Sequence, residues 1–386
     1  MNQIGIIGSG AMGAGIAQVA ATSGHEVFVF DSNASALEKA KTNLDTTLKK
    51  LVEKQKVTEQ DSKAIFKRTH FVSDLYTFKN CSLIIEAIVE NLEVKQKVFS
   101  DLETIVSKDC VLASNTSSLS IASIASVCKH PERVVGIHFF NPAPIMPLVE
   151  IIPGILSDEK IVSDSKKIID SWGKVTVLTK DTPGFIVNRV ARSFYSEAIR
   201  IYEEGIADYA TIDWAMKEMG GFKMGPFELM DFIGNDINYK VTESVWTQFF
   251  YEPRFKPSLT QKRLYEAKLF GRKTGRGYYN YAEGTVMPEP NKNKGLGEYV
   301  FNRIICMLIN EAIDSFYLQL ATKSDLDLAM TKGVNYPKGL LKWADDLGLD
   351  HVLNTLDVLY ELYAEDRYRP CVLLKIMVKE GKCFYK

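Results

Sequence analysis

Residues 4–31 read IGIIGSGAMGAGIAQVAATSGHEVFVFD, and this stretch decides the fold. An apolar run (Ile4, Ile6, Ile7) leads straight into Gly8-Ser9-Gly10-Ala11-Met12-Gly13. A helix-like segment follows, stopped at Gly24, and a second apolar run from Val27 to Phe30 ends on Asp31. A lone G-x-G-x-x-G is a weak signal, but here strand, turn, helix, strand and terminal acid stand in order. Gly8 permits the tight turn, Gly10 lets backbone approach a pyrophosphate, and Gly13 allows close packing of helix on strand. The helix start at Ala11 and Met12 offers unpaired N–H groups and a positive dipole end to phosphates. Asp31 would accept from adenosine ribose hydroxyls and repel a 2′-phosphate, so the expected cofactor is NAD rather than NADP. The alternative is a glycine-rich βα turn without a ligand.

Working outward, Ala34–Lys54 carries a long charged amphipathic helix with Leu37, Leu44, Leu48 and Leu51 on its apolar side. Short apolar runs follow at 83–85, 111–113, 134–138, 148–152 and 175–178, with helical patterns at 92–106, 121–128 and 159–172. Strands separated by helices predict parallel pairing and an α/β, Rossmann-like doubly wound sheet over residues 1–182. Ligands of such sheets lie beyond the carboxyl ends of the strands.

Three strand ends carry polar groups. Glu86 and Glu90 follow the third of the runs quoted so far, Ser114-Asn115-Thr116-Ser117-Ser118 the next, and His138-Phe139-Phe140-Asn141-Pro142 the one after. The Ser/Thr cluster is also what a plain helix N-cap before Ile121 looks like. Glu90 alone reads as an acid interacting with a helix dipole. His138 is one of only five histidines, and by itself it could be structural. Glu150 changes that reading, because a carboxylate inside the run Leu148–Ile152 is costly to bury unless something pairs with it. The imidazole of His138 is the obvious partner across a Pro-rich turn. Such a dyad fixes the ring tautomer and supplies the base that alcohol oxidation needs.

From Thr182 the pattern turns helical. DTPGFIVNR opens a helix expected over Phe185–Glu204, and an acid-capped helix is expected to begin near Thr211-x-Asp213. GPFELMDFIG starts another, and Gly271–Tyr279 is a basic glycine loop. The chain then repeats itself at one constant spacing. Phe301-Asn302-Arg303 echoes Val187-Asn188-Arg189, Asn310-Glu311-Ala312-Ile313 echoes Ser196–Ile199, and Asp327–Met330 matches Asp213–Met216. Gly339, Asp345 and Gly348 match Gly225, Asp231 and Gly234. Two tandem all-α domains are therefore expected, at 183–283 and 297–386, joined by a polar linker; the second, with its abbreviated loop Gly381–Tyr385, reads as structural.

Bulk composition fits a soluble cytoplasmic enzyme. The 386 residues call for two or three domains, and a net charge of -1 argues against nucleic acid or anionic membrane as a partner. The first strand begins close to Met1, which leaves no room for a signal peptide. No apolar stretch is long enough to span a bilayer. Six cysteines without C-x-x-C spacing predict neither a metal site nor disulfides.

Taken together, GSGAMG, EAIVEN, SNTSS, HFFNP, DTPGFIVNR and GRKTGRGYY, in that order, resemble the 3-hydroxyacyl-CoA dehydrogenase family from residue 2 to about 283. The helical region from 297 onward is similar to a second copy of the family's helical domain. The resemblance implies NAD-dependent oxidation of an (S)-3-hydroxyacyl-CoA, such as 3-hydroxybutyryl-CoA, to the 3-ketoacyl-CoA, or the reverse. It makes His138 the general base and Glu150 its orienting partner, with Ser117 and Asn188 holding the substrate's C3 oxygen and thioester. Glu90, Lys95, Ser117, Asn141 and Lys273 join the glycine turn and Asp31 as cofactor contacts. Thr47 and Lys54 fall on the coenzyme A segment, with Thr47 standing where some members have serine. Single-copy members dimerise through the helical domain, so the duplicated copy is expected to form an intramolecular pseudo-dimer, leaving open a monomer or a homo-oligomer. Two rivals remain: a β-hydroxyacid dehydrogenase acting on a free acid, whose relatives usually rely on a lysine base, and a non-catalytic NAD-binding protein. Assay with acetoacetyl-CoA and NADH separates all three.

Overall fold

Eight short runs, most of them apolar, pair into one sheet that organises the first half of the chain. The computed structural model describes residues 2–385, so Met1 and Lys386, the outermost residues of the expected domains, lie outside it. The chain divides into two compact units, Met1–Thr182 and Pro183–Lys386.

In the first unit the elements run β1 (Gln3–Ile7), α1 (Ala11–Thr22), β2 (Glu26–Phe30), α2 (Ala34–Glu53), α3 (Glu59–Lys67), β3 (Thr69–Val72), β4 (Leu83–Glu86), α4 (Leu92–Glu103), β5 (Val111–Ser114), α5 (Ile121–Ala125), β6 (Val134–Phe139), β7 (Leu148–Pro153), α6 (Glu159–Ser171) and β8 (Val175–Leu178). The spatial order is β3-β2-β1-β4-β5-β6-β7-β8. The expected Rossmann-like sheet is present, with strand order reversing between β1 and β4, where a dinucleotide crevice belongs. Ile4, Ile6, Val27, Val29, Ile85, Val135, Ile137, Val149 and Ile151 form its buried core. One pairing departs from the expected parallel pattern: β7 runs antiparallel to β6, with His138 directly opposite Glu150. Residues 140–147 are too few for a parallel crossover, which needs a dozen or so, and suit a hairpin. The sequence pattern also missed α3 and β3; THFV is short and only partly buried.

The second unit is helical: α7 (Val187–Val190), α8 (Arg192–Glu203), α9 (Tyr209–Gly220), α10 (Pro226–Ile233), α11 (Asn235–Gln248), α12 (Leu259–Glu266), α13 (Lys294–Tyr317), α14 (Lys323–Gly333), α15 (Leu340–Leu347), α16 (Leu349–Tyr363) and α17 (Val372–Glu380). Three expected boundaries are corrected. The helix expected from Phe185 starts at Val187, because Gly184 and Phe185 both take positive φ, and it breaks at Ala191. The cap of α9 is Asp208, whose side chain accepts from Thr211 N at 2.8 Å. Asp213 instead lies inside α9 and accepts from Phe227 N and Glu228 N, satisfying the start of α10. The linker ends earlier than expected, since α13 is already helical at Lys294.

The repeated positions do repeated work. Asp327 accepts from Leu341 N and Lys342 N at the start of α15, and Tyr385 donates to it as Tyr279 donates to Asp213. Asp231 accepts from Tyr278 N and Tyr279 N; Asp345 accepts from Phe384 N and Tyr385 N. Helix α13 packs on α8 and α9. Across that contact Arg189 Nε donates to Glu311 at 2.6 Å, and Arg303 Nε donates to Glu197 at 2.6 Å. Each repeat thus gives its Arg to the other repeat's Glu.

Candidate active site

The glycine turn leaves β1 through Gly8, whose φ is +99° and whose added Cβ would lie 2.6 Å from Ala87 O. At Gly13 a Cβ would sit 1.9 Å from Gly8 O, so no larger residue fits beneath α1. At Gly10, by contrast, nothing lies within 4 Å of an added Cβ, leaving space above the start of α1. No side chain caps that start, so the N–H groups around Ala11, Met12 and Gly13 keep their donors for a ligand. Asp31, at the end of β2, accepts from Ser9 N at 2.7 Å, Ser9 Oγ at 2.8 Å and Asn33 N at 2.9 Å. Partial burial raises its carboxyl, but the Asn33 and Ser9 donors outweigh that and hold it below the usual carboxylate range. A charged acceptor, an uncapped helix start and open space above Gly10 together fit the ribose and pyrophosphate of NAD.

Past β4 and β5 the polar strand ends interlock. Glu86 is fully buried and accepts from Lys95 Nζ at 2.6 Å, Ser114 Oγ at 2.7 Å and Ile88 N at 2.7 Å. The same ammonium lies 3.3 Å from Glu90. Glu90 also accepts from Thr116 Oγ1 at 2.5 Å, Ser117 N at 3.1 Å and Ser118 Oγ at 3.1 Å. Burial raises this carboxyl; Lys95 and the Thr116, Ser117 and Ser118 donors overcome it and keep it below its ordinary value. Lys95, with 1% of its surface exposed, acts from behind the carboxylates. The cap of α5 is Ser120 rather than the quoted Ser/Thr cluster, and Asp181 joins it by accepting from Ser120 Oγ and Ala122 N.

His138 and Glu150 meet because the β6–β7 register sets them opposite each other. Nδ1 and Oε2 are 2.7 Å apart, with His138 5% exposed and Glu150 sealed. An ionised carboxylate only accepts, so Nδ1 carries the hydrogen and the acceptor of the neutral ring is Nε2. Phe140 packs its ring 4.6 Å from the imidazole. Two further groups hold this end of the sheet. Asn115 Oδ1 accepts from Phe139 N at 2.8 Å, and Lys174 Nζ donates to Ala143 O and Met146 O at 2.5 and 2.8 Å, fixing the turn between the dyad's strands. Neither was singled out from sequence. Asn115 stood inside a quoted motif, whereas a lysine bonded to backbone carbonyls leaves no residue pattern to read. Glu86 was legible by the logic used for Glu150, an acid ending an apolar run.

Asn141 is exposed on the turn after β6. Thr47 lines a cleft of about 760 Å³ with Leu44, Leu48, Leu51, Lys56 and Pro144, and Lys54 is exposed at the end of α2. In the second unit, Asn188 is half-buried on α7, and Lys273 Nζ donates to Asp236 at 2.7 Å. No group of three metal-ligating side chains gathers among the described residues.

A dinucleotide crevice, an acid suited to the NAD ribose and a buried His–Glu pair at the neighbouring strand ends define an NAD-dependent dehydrogenase. Family models agree: residues 3–182 match the 3-hydroxyacyl-CoA dehydrogenase NAD-binding domain, and residues 184–281 and 299–386 each match that family's C-terminal domain. The chain belongs to the 3-hydroxyacyl-CoA dehydrogenase family, NAD-dependent oxidoreductases. It is 36% identical to the 3-hydroxyadipyl-CoA dehydrogenase of Escherichia coli, over 96% of each chain. It is 39% identical to a probable 3-hydroxybutyryl-CoA dehydrogenase of Deinococcus radiodurans, covering 72% of this chain and all of that protein. The crystal structure of 3-hydroxybutyryl-CoA dehydrogenase from Escherichia coli K12 superposes with a TM-score of 0.93 at 35% identity, over 98% of both chains.

Proposed function

We propose that this chain oxidises the 3-hydroxyl of a short (S)-3-hydroxyacyl-CoA, 3-hydroxybutyryl-CoA or similar, to the 3-ketoacyl-CoA, and catalyses the reverse reduction with the same groups. The observation that carries this reading is the 2.7 Å contact of His138 with the sealed carboxylate of Glu150. Bound NAD supplies the hydride acceptor. His138 Nε2 takes the C3 hydroxyl proton, and Glu150 orients the ring and balances the imidazolium that forms, as the acid of a hydrolase triad does. Ser117 supplies a hydroxyl for the C3 oxygen, and its N–H is already fixed by Glu90. Asn188 is assigned to the same oxygen and thioester by the family motif it stands in.

Gly8, Gly10, Ala11, Met12, Gly13 and Asp31 hold the adenosine and pyrophosphate, and Glu90, Ser117, Asn141 and Lys273 the rest of the cofactor. Lys95 serves by positioning Glu90. Thr47 on α2 and Lys54, which caps its end, lie two turns apart and receive coenzyme A. The names of the relatives bracket the acyl group: one is named for a butyryl chain, another for an adipyl chain with a terminal carboxylate. The two helical copies, 183–283 and 297–386, act as an intramolecular pseudo-dimer, a reading supported by the reciprocal Arg–Glu pairs. All six cysteines are free thiols, and burial pushes Cys81, Cys110, Cys306 and Cys371 up to about 12; this suits a reducing compartment, the cytoplasm. The test is turnover of acetoacetyl-CoA with NADH. A protein that binds NADH but reduces neither this thioester nor its four- to six-carbon homologues would refute the reading.

A further inference from the structure

Five arginines of the described residues are buried, and four of them have a carboxylate partner: Arg133 with Glu103, Arg189 with Glu311, Arg303 with Glu197 and Arg367 with Glu365. Arg192 is the exception. It is 5% exposed, and no carboxylate among the described residues lies within ion-pair distance. Its Nε donates to Asn188 O at 2.7 Å and its Nη1 to Thr242 Oγ1 at 3.2 Å, while the guanidinium carbon stands 5.0 Å over the Tyr195 ring. Nη2 has no hydrogen-bond partner among the described residues. A buried cation without a counter-charge is expensive, and structures resolve the cost by pairing it.

The neighbours of Arg192 are donors too. Tyr336 is 4% exposed, and its hydroxyl is sealed without a partner. Tyr195 is 3% exposed, and its hydroxyl makes no hydrogen bond to the described residues. Burial raises both phenols, so they stay protonated and able to donate. Burial also lowers Arg192, with the two tyrosines offsetting only part of that; an added anion would reverse the shift. The guanidinium lies over the Tyr195 ring, and Tyr195 and Tyr336 both pack on the Phe194 ring, at 5.5 and 5.7 Å between centroids. Three donor groups thus gather with few acceptors among the described residues, which is the chemistry of an anion seat. At the repeat-related positions stand Cys306, Ile309 and Phe222, none of which is charged, so the seat occurs once.

We propose that Arg192, Tyr195 and Tyr336 receive a carboxylate at the far end of the acyl group, so that the preferred substrates are dicarboxylic 3-hydroxyacyl-CoA thioesters. This rests on the proposed role of Asn188 at the substrate's C3 oxygen. Arg192 follows Asn188 by four residues across the break at Ala191, and its Nε donates to Asn188 O at 2.7 Å, which holds the guanidinium beside the segment that carries Asn188. In a six-carbon diacid chain the carboxylate carbon lies roughly 4 Å from C3, and a hydrogen bond adds about 3 Å, so the chain spans the short distance between neighbouring side chains.

Adipyl-CoA and hexanoyl-CoA test this directly, since they share coenzyme A and carbon count and differ only in the terminal carboxylate. With NAD-loaded full-length protein, calorimetry should give adipyl-CoA an advantage of about 10²-fold, as expected for a desolvated charge pair. Arg192→Met should bring the ratio to about one and Arg192→Lys should restore part of it. Tyr336→Phe, which removes a single oxygen and carries the test if Arg192→Met does not fold, should lower the ratio about 3- to 10-fold. Equal wild-type affinities, or variants that weaken both ligands in parallel, would overturn the seat. Turnover separates this failure from that of the underlying function: oxidation of 3-hydroxyhexanoyl-CoA as fast as 3-hydroxyadipyl-CoA sinks only the seat, whereas oxidation of neither sinks the dehydrogenase reading.

Discussion

Replacing Glu150 by Gln keeps the shape of the dyad and removes its charge. Glu150 is sealed from solvent, with Oε2 2.7 Å from His138 Nδ1, so the charge it presents to the ring is poorly screened. When the ring accepts the substrate proton, charge centres roughly 4 Å apart interact with about 4 kcal/mol at an effective dielectric constant near 20. If half to all of that charge has developed at the transition state, its loss slows proton transfer by about 30- to 10³-fold. The neutral ground state is barely affected, so the loss should fall on kcat rather than on binding. Steady-state reduction of acetoacetyl-CoA by NADH measures it, with NADH affinity from fluorescence titration and a melting curve as controls. A folded variant within about threefold of wild type would show that Glu150 does not balance an imidazolium. So would a loss that appears wholly in KM.

On the proposed role of the ring as base rather than cofactor contact, His138→Gln should cost kcat about 10²–10⁴-fold while leaving NADH affinity within twofold; retention of most of the activity would remove it from the mechanism. Asp31 should hold the preference for NAD over NADP at tenfold or more, read as the ratio of kcat/KM values, and comparable values would reject the assignment. Its carboxyl lies below the usual range, so the ionised acceptor is present above that value and is lost only as pH falls through it. The NAD affinity ratio of wild type to Asp31→Asn should therefore stay constant between pH 5.5 and 9; a ratio collapsing toward one below pH 6 would contradict this. Deleting 297–386 should strip α13 from α8 and α9, expose a large apolar face and cause dimerisation or aggregation in light scattering. An unaltered stoichiometry would mean that the second copy is an appendage.

What the sequence displayed of this molecule follows from the range of each interaction. The turn from β1 through Gly8 to α1 is local, with strand, glycines and helix start inside a dozen residues, and it could be read directly. Glu150 was legible because an acid in the run Leu148–Ile152 violates its own neighbourhood, and the hairpin partner lay only twelve residues away. Antiparallel pairing of β7, though implied by that short turn, was masked by the βα alternation on either side. Asp213 looked like a cap of its own helix and instead caps α10, fourteen residues on, because a carboxylate can satisfy N–H groups wherever packing brings them. Lys174 and Asn115 bond to backbone atoms, which every residue possesses, so nothing in the residue string marks them. Arg192 was passed over for the opposite reason. Arginine in a helix is ordinary, and only the missing carboxylate, a property of the fold, makes it informative.

The reciprocal pairs explain how a duplicated helical segment can pack on itself in one way. Helices α8 and α13 both present long apolar stripes, among them Ile199 and Ile201 on one and Ile304, Ile305 and Ile313 on the other. Such stripes tolerate sliding by a turn, because apolar contact is non-directional and one branched side chain replaces another. The charges do not tolerate it. In the observed alignment Arg189 meets Glu311 while Arg303 meets Glu197, with all four side chains at most 4% exposed. A one-turn slide would break both short Arg–Glu contacts, and pulling a buried charge away from its closest counter-charge costs several kcal/mol. The pairs therefore need contribute little net stability to be decisive, since they act on the competing alignments. That accounts for buried ions at the centre of a contact that apolar residues could have held at least as tightly.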